Sequence, residues 1–296
     1  MSSDVVTRLT SLRQYQGDGQ RAPHKPLLVL LALGQLKATG SSILQWSEVE
    51  DRLGSLLAEF GPPKNTAGNS PAYPFTRLRT DNVWILSRDV PNDNVGPLRA
   101  APIDGRFAAD VEAGLRDDPD AVNTIARLLV ESQFPATLAA DVLIATGFDP
   151  DTVFGAPTVG TDRSARRRDP SWRHAIVAAW DRSCAFCGFD GSLGGAPVGI
   201  EAAHIRWFNI GGPDDPDNGL ALCSLHHKLF DRGALGLSDP ETVIVSTTFA
   251  AVSETGKRVY ELHERRLTPR PGTTLPADVH VEWHTREVFK GNSLSA

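Results

Sequence analysis

The sequence predicts an α+β fold in two domains, a helical, winged-helix-like N-terminal domain and a C-terminal domain organised around a ββα metal finger. A chain of 296 residues has the length of two ordinary domains. Its apolar positions from Leu27 onward recur as in a buried helix, whereas all three cysteines fall within residues 184–223. We place the domains at 1–150 and 170–296, joined by a linker at 151–169.

Composition excludes several classes of protein. Apolar residues make up 41% of the chain and charged residues 22%, so a folded core is expected rather than wholesale disorder. The longest apolar run, Leu27–Leu33, is far shorter than the ~20 residues of a membrane span. The first residues lack the basic start and apolar stretch of a signal peptide, and three cysteines do not suit a disulfide framework. We therefore expect a cytoplasmic protein that has no membrane partner.

The net charge of −6 is distributed unevenly. Residues 1–106 contain 12 Lys or Arg and 10 Asp or Glu, residues 107–155 contain 2 and 9, and residues 156–296 contain 16 and 17. The middle segment supplies the acidity, so either end can present a local basic face to nucleic acid. The RSARRR run at 163–168 is interpreted as solvated linker charge that could also help to hold DNA.

The N-terminal domain is predicted to be mainly helical, with two short strands. Pro26 suits the first turn of a helix, and the apolar run behind it ends at Gly40. Ser47 and Glu50 have the spacing of a capping box at the start of another helix. Segment 64–74, rich in Gly, Asn, Ser and Pro, is predicted to be a loop. The other predicted elements are helices at 5–15, 121–132 and 136–146 and strands at 75–79 and 82–87.

The C-terminal domain is predicted to alternate short strands with short helices. Asp169 and Pro170 suit the start of a helix that runs to about residue 182. The elements predicted after it are strands at 198–205 and 243–247, a loop at 208–219, a helix at 223–231 and a basic, partly helical tail at 257–270.

Two pairs of soft ligands predict a zinc site. Cys184-x-x-Cys187 and Cys223-x-x-His226 can each chelate from one turn, and together they supply four ligands for a tetrahedral ion. Four protein ligands close the coordination shell, so the zinc is expected to be structural rather than catalytic. The alternative reading is three unrelated buried thiols, which the paired spacing makes less favourable.

Further polar residues with metal-binding or catalytic side chains lie between these two pairs and just after the second pair. His204 stands at the end of a predicted strand, Asn218 follows the predicted loop, and His227 lies on the next helix. His226 and His227 are separated by about 100° around that helix, so one can face the zinc and the other a second site. His227 and Asp231 are four residues apart and can share one divalent ion.

The wording EAAHI…DNGLALCSLHHKLFDRGALGL, within residues 172–246, resembles the HNH endonuclease family. The resemblance implies phosphodiester hydrolysis with Mg²⁺ or Mn²⁺, with His204 as the general base and His227 as a metal ligand. It also implies that Asn218 fixes the loop and orients His204, while Asp231 is a weaker candidate ligand. Many HNH enzymes carry a ligand at the position of Ala203, and Glu201 is interpreted here as a surface charge.

The N-terminal phrases RQYQGDGQRAPHKPLLVLLAL and AYPFTRLRTDNVW resemble the sulfur-binding domain of phosphorothioate-dependent, McrA-type restriction endonucleases. In that family the sulfur-binding domain also precedes the HNH domain. The resemblance implies that residues 1–150 bind phosphorothioated double-stranded DNA. Without it, these residues indicate a winged-helix-like DNA-reading domain.

Sulfur recognition suits particular residues of this domain. Sulfur is larger and a poorer hydrogen-bond acceptor than oxygen, so a shallow apolar pocket can accept it while penalising a hydrated oxygen. Tyr73 and Pro74, on a Pro-flanked loop, are predicted to form the pocket, although Tyr73 can also be read as a plain turn aromatic. Basic side chains would hold the phosphates, and an arginine could read guanine. The candidates are Arg21, His24, Lys25, Arg77, Arg79 and Arg99.

The predicted function is a type IV, modification-dependent restriction endonuclease with a structural Zn²⁺ and a catalytic Mg²⁺ or Mn²⁺. Double-strand cleavage needs two active sites or two visits, so a homodimer is plausible. Two alternatives remain open at this point. One is an HNH endonuclease for methylated or unmodified DNA, and the other is a non-catalytic DNA-binding protein with a vestigial finger.

Overall fold

The structure is a computed structural model, and it divides the chain into two compact units, Met1–Arg163 and Ser164–Ala296. The residues that it describes are 2–14, 19–63, 70–155 and 170–295. The RSARRR run, Asp169 and segment 64–69 of the predicted loop lie outside the described residues. None of the helices within those ranges is long and apolar enough to cross a membrane.

Helices form most of the first unit, as the sequence predicts. They are α1 (Ser2–Thr10), α2 (His24–Thr39), α3 (Trp46–Phe60), α4 (Ala72–Arg77), α5 (Val95–Ala100), α6 (Ala109–Asp117), α7 (Pro119–Gln133), α8 (Ala136–Ala145) and α9 (Pro150–Gly155). The apolar run of α2 is buried on all sides, and Gly40 closes the helix with a left-handed φ of 75°. Helix α2 therefore forms the centre of this unit's core.

A small antiparallel sheet completes the first unit. Its strands, in the spatial order β1-β3-β2, are β1 (Leu44–Gln45), β2 (Trp84–Leu86) and β3 (Asp104–Phe107). The Trp84 indole lies so close to Gly105 that an added Cβ would be 2.4 Å from the ring. Helices with a three-stranded sheet give the mixed helix-and-sheet class that the sequence predicts.

Some local predictions in the first unit are wrong. Segment 75–79 is not a strand, because Ala72, Phe75 and Leu78 recur every three residues and are all fully buried, which winds the chain into α4 and a following 3₁₀ turn. The predicted capping box also fails. Helix α3 begins at Trp46, whose backbone N–H donates to the Ile103 carbonyl at 2.8 Å, so Ser47 lies inside the helix.

The sequence does not predict five elements of the described part of this unit, namely β1, β3, α5, α6 and α9. Helix α9 occupies the start of the predicted linker. Its Val153 is fully buried, and the helix contacts α7 and α8. Residues 151–155 therefore pack with the first unit, while 156–169 lie outside the described residues. The domain boundaries themselves stay a prediction.

The second unit is built from three antiparallel hairpins and the helices that pack on them. Its helices are α10 (Pro170–Ala179), α11 (Ser224–Asp231), α12 (Glu254–Lys257) and α13 (Asp278–Glu287), and its strands are β4 (Ser192–Leu193), β5 (Ala196–Pro197), β6 (Ile200–His204), β7 (Gly219–Cys223), β8 (Leu235–Asp239) and β9 (Thr242–Val245). Strands β6 and β7 with helix α11 form the predicted ββα finger. Helix α13 was not predicted, and α10 ends three residues before the predicted end.

Candidate functional site

Cys184, Cys187, Cys223 and His226 come together at one end of the finger. Their ligand atoms all lie within 4.8 Å of one another. The His226 Nδ1 atom is 3.5 Å from the Cys184 Sγ and 3.3 Å from the Cys223 Sγ. Sulfur and nitrogen ligands of a tetrahedral zinc are about 3.5 Å apart, so these residues fit one such ion.

Local structure places each of these ligands. The first two follow α10 in a tight turn, in which the Gly188 N–H donates to the Cys184 carbonyl and Gly188 has a φ of 78°. Cys223 ends β7, and His226 lies in the first turn of α11. The hydrogen bond from Cys223 lowers the pKa of Cys184 to about 3, whereas burial raises the pKa of the Cys187 thiol.

The register of β6 and β7 places His204 at the opposite end of the finger. Ile200 pairs with Cys223 at one end, and His204 pairs with Gly219 at the other. Helix α10 packs directly over this second end, because a Cβ on Gly219 would lie 2.4 Å from Ile176.

Two side chains that the sequence did not indicate hold His204. Its ring stacks on the Trp172 indole, with 3.8 Å between centroids and an interplanar angle of 14°. Its Nε2 atom lies 2.7 Å from the Asp214 Oδ1. The Trp172 Nε1–H in turn donates to the Asp215 carbonyl. His204 is therefore fixed between a buried aromatic ring and a carboxylate.

Asn218 is fully buried and closes the loop that follows His204. Its Oδ1 accepts a hydrogen bond from the Arg206 backbone N–H at 2.8 Å. Its Nδ2 donates to the carbonyls of Arg206 and Pro213. The side chain thus joins both ends of segment 206–213, which is the loop-fixing geometry that the resemblance implies.

His227 lies between two carboxylates. Its Nδ1 is 2.7 Å from the Glu201 Oε2, and its Nε2 is 3.2 Å from the Asp231 Oδ2. Burial lowers the pKa of His227, but the charges and hydrogen bonds of Asp231 and Glu201 outweigh burial and raise it to about 9. The His227 hydrogen bond lowers the pKa of Glu201. The interpretation of Glu201 as a plain surface charge is therefore wrong.

Ala203, the residue before His204, points into the apolar core. The side chain of Ala203 is fully buried in the apolar core of the second unit. A ligand there would have to leave that core to reach a metal at the surface, so alanine suits the position.

The first unit contains a cavity of about 280 Å³. Four of the predicted sulfur- or DNA-binding residues line it, namely Arg21, His24, Lys25 and Tyr73. The His24 and Tyr73 rings meet edge to face, with 5.8 Å between centroids. Arg13, Gln14, Gln20, Ala22, Ser70 and Asp93 also line the cavity and were not predicted.

The cationic residues differ in how tightly the protein already holds them. Lys25 is 5% exposed and forms an ion pair of 2.5 Å with the buried Asp81. The Arg21 Nη2 atom donates to the Phe60 carbonyl at 2.5 Å. Both side chains are thus anchored by the protein while they line the cavity.

The other predicted residues lie outside the cavity lining that the described part of the chain provides. Pro74 is buried within α4, which corrects its placement and that of Tyr73 on a loop. Arg77 pairs with Asp93, which lines the cavity, and its guanidinium lies 5.4 Å from the centre of the Tyr73 ring.

Arg79 and Arg99 also do not line the cavity, and both have other partners. Arg79 bonds to the Thr76 carbonyl and to the carboxylate of Asp89. Arg99 pairs with Glu50.

Family profiles match both units. The profile described as "ScoMcrA-like, DNA sulfur-binding domain" matches residues 2–151, and the profile "HNH endonuclease" matches residues 184–238. No curated protein matches the chain.

Three solved structures are among those to which the chain is similar. The sulfur-binding domain of ScoMcrA complexed with phosphorothioated DNA is 22% identical, with 48% of this chain and 97% of that chain covered and a TM-score of 0.41. The corresponding SprMcrA domain is 21% identical, with 50% and 94% covered and a TM-score of 0.41. The type IV phosphorothioation-dependent restriction endonuclease ScoMcrA is 14% identical, with 88% and 97% covered and a TM-score of 0.39.

The second unit is an HNH endonuclease domain, so the protein is a nuclease. The chain belongs to the ScoMcrA-like DNA sulfur-binding domain family, whose profile spans half of its length. A DNA sulfur-binding domain joined to an HNH endonuclease domain is the composition of a phosphorothioate-dependent type IV restriction endonuclease, which confirms the predicted fold class and function.

Proposed function

We propose that residues 1–150 bind phosphorothioated double-stranded DNA through the cavity beside Tyr73 and that residues 170–296 hydrolyse a phosphodiester bond near the modification. One observation carries the proposal: residues that are distant in sequence, Arg21 to Lys25 and Tyr73, line a single cavity in a chain that also holds a nuclease finger.

The cavity combines the two properties that a phosphorothioate needs. The aromatic edge of Tyr73 and the ring of His24 give a wall on which sulfur is tolerated better than a hydrated oxygen. Arg21 places positive charge beside that wall, for the remaining anionic oxygen and the flanking phosphates, and Lys25, whose charge Asp81 balances, would add a hydrogen-bond donor. Arg77, Arg79 and Arg99 would contact DNA beyond the cavity.

His204 is proposed to be the general base. A neutral imidazole can take a proton from a water molecule. Asp214 would stabilise the imidazolium that forms, and Trp172 keeps the ring in one orientation. Asn218 holds the loop that bears Asp214, because it ties Arg206 to Pro213.

His227 is proposed to hold the divalent ion, with carboxylates at both of its ring nitrogens. Ligand atoms of one octahedral ion with bonds of ~2.1 Å are about 3 Å apart. The separation of 2.7 Å between the His227 Nδ1 and the Glu201 Oε2 fits that spacing, while Asp231 lies 3.2 Å from the other ring nitrogen, Nε2. A bound Mg²⁺ or Mn²⁺ would neutralise charge on the phosphate and on the 3′ leaving oxygen.

The four-residue cluster of Cys184, Cys187, Cys223 and His226 is proposed to hold a structural zinc. Its residues belong to the turn, to strand β7 and to helix α11, so one ion would tie these parts of the finger together. We further propose a homodimer, in which two active sites cut the two strands, acting in the cytoplasm.

The test uses duplexes that are matched in sequence and differ by one phosphorothioate of defined stereochemistry, incubated with Mn²⁺, Mg²⁺ or EDTA. We expect metal-dependent cleavage of one diastereomer of the modified duplex. Equal cleavage of modified and unmodified DNA would show that the protein does not recognise sulfur. Selective binding without cleavage in either metal would leave a reader with a vestigial finger.

A further inference from the structure

We propose that Glu201 and Asp231 have different roles on either side of His227: Glu201 is a ligand of the catalytic divalent ion, and Asp231 is a positioning residue that orients the His227 ring. This inference rests on the proposed divalent-metal site. It alters the sequence-based ligand set, which contained Asp231 and omitted Glu201.

Glu201 has the features of a ligand that faces the substrate. Its side chain is 40% exposed, and its Oε2 atom is 2.7 Å from the His227 Nδ1. Its other oxygen, Oε1, accepts a hydrogen bond from the Ser224 hydroxyl at 2.8 Å. A catalytic Mg²⁺ or Mn²⁺ keeps several water molecules and also binds a substrate phosphate, so it needs an accessible side. The Nδ1 side of the ring provides that access.

Asp231 has the opposite environment. Its side chain is 1% exposed, whereas that of Glu201 is 40% exposed. The Oδ2 atom lies 3.2 Å from the His227 Nε2, while the Oδ1 atom accepts a hydrogen bond from the Trp207 indole N–H at 3.0 Å. A hydrated ion that must also bind DNA could not reach this enclosed carboxylate without breaking those contacts.

The arrangement matches a general property of metal-bound histidines. Such a ring donates its second N–H to a carboxylate, which fixes the tautomer and the orientation of the ring. Trp207 holds Asp231 and itself packs edge to face on Trp283 of α13, with 6.0 Å between centroids. Helix α13, which lies outside the matched HNH segment, thereby supports the metal-binding helix.

The ligand assignment also accounts for Ala203. Because that side chain lies in the core, a second protein ligand must come from elsewhere on the strand. Glu201, two residues earlier, contacts His227 directly. It supplies the negative charge that an acidic residue immediately before His204 would otherwise provide.

The experiment measures Mn²⁺ binding to the full chain, with zinc already bound and without DNA, by calorimetry and by water-proton relaxation. Glu201→Gln should weaken Mn²⁺ binding by at least tenfold. At saturating Mn²⁺ it should also raise the relaxivity per ion, because a water molecule replaces the lost ligand. Asp231→Asn should weaken binding on the order of 10–100-fold without changing the relaxivity per bound ion.

Two further variants keep the test decisive. Trp207→Phe removes the N–H donor to Asp231 and keeps an aromatic ring at the position, so it should weaken Mn²⁺ binding mildly at unchanged relaxivity even if Asp231→Asn fails to fold. Glu254→Gln, at a side chain that is 90% exposed, is the matched control and should bind as the wild type does. Zinc content and the melting temperature establish that each variant is folded.

Wild-type affinity in Glu201→Gln would overturn the ligand role of Glu201. A gain of water in Asp231→Asn would overturn the positioning role, because it would make Asp231 a ligand. Since Mn²⁺ binding is measured without DNA, these failures are distinct from a failure of sulfur-dependent cleavage.

Discussion

The imidazole of His204 lies flat against the indole of Trp172, with the two ring centroids 3.8 Å apart. Trp172 belongs to α10, which precedes the segment that the HNH profile matches. The proposed base is therefore oriented by a residue outside the recognised finger, and α10 is part of the active-site framework.

His204→Ala should slow cleavage strongly while leaving the binding of DNA unchanged. A positioned general base contributes about 10²–10⁴-fold to the rate, so the single-turnover rate on a phosphorothioated duplex should fall by that factor. The dissociation constant for the same duplex should stay within twofold of the wild-type value. Cleavage by His204→Ala at the wild-type rate would exclude His204 as the base.

Tyr73→Ala should reduce the preference for sulfur over oxygen. The variant removes the ring that meets His24 in the cavity, so binding to the modified duplex should weaken on the order of tenfold, about 1.4 kcal/mol. Binding to the unmodified duplex should change little. Arg99→Ala is the control for the ratio, because a DNA contact outside the cavity lining should change both dissociation constants by the same factor. The ratio of the two dissociation constants is the measurement, and an unchanged ratio in Tyr73→Ala would place the sulfur elsewhere.

Asp81→Asn should destabilise the first unit strongly. It leaves the buried Lys25 ammonium without its carboxylate, and breaking a buried pair in this way costs about 3–5 kcal/mol. Glu131→Gln, which breaks the partly exposed pair with Arg127, should cost about 0–1 kcal/mol. Denaturant unfolding of both variants provides the comparison, and equal losses would contradict the buried role of Lys25.

His227 should make stability depend on pH in the absence of added Mg²⁺ or Mn²⁺. Its folded pKa of about 9 lies above the ordinary value of 6.5, so its contribution is complete below pH 6.5 and is lost as the pH rises through about 9. The melting temperature of the second unit should therefore fall over that window. In His227→Gln the fall should be shallower. An equal slope in both proteins would show that other groups dominate the titration.

Zinc removal should unfold the finger selectively. Structural zinc sites contribute folding free energy directly, so a strong chelator or Cys187→Ser should lower the melting transition of the second unit. The transition of the first unit should not move, because its residues contribute nothing to the cluster. Metal content of one zinc per chain, lost in Cys187→Ser, is the accompanying measurement.

The sequence predicts the cluster of three cysteines and one histidine, and the HNH residues, because both depend on the spacing of residues along one short segment. Cys184 and Cys187 are two ligands of one turn, and the finger fixes the order of the remaining residues. Glu201 was misread because the pairing of a strand residue with a helix residue 26 positions later depends on tertiary packing. Trp172 was missed for the same reason, since only the packing of α10 brings its ring onto His204.

The reader domain was less predictable. Tyr73 was assigned to a loop because Pro71 and Pro74 suggested one, whereas the burial of Ala72 and Phe75 on one face produces a helix. The charge pattern also could not distinguish Arg21 and Lys25, which line the cavity, from Arg99, which does not. That distinction depends on tertiary contacts, such as the ion pair between Arg99 and Glu50.

Cys223 and His204 stand at opposite ends of the strand pair β6–β7. Oxidising conditions convert cysteine thiolates to disulfides. Oxidation of the proposed zinc ligands would release one end of this strand pair and disturb the orientation of His204, the proposed base, at the other end. The cavity beside Tyr73 contains no cysteine, because all three cysteines lie in the second unit. Oxidation would thus convert the nuclease into a protein that binds phosphorothioated DNA without cleaving it. The bound protein would then protect the modified DNA instead of degrading it.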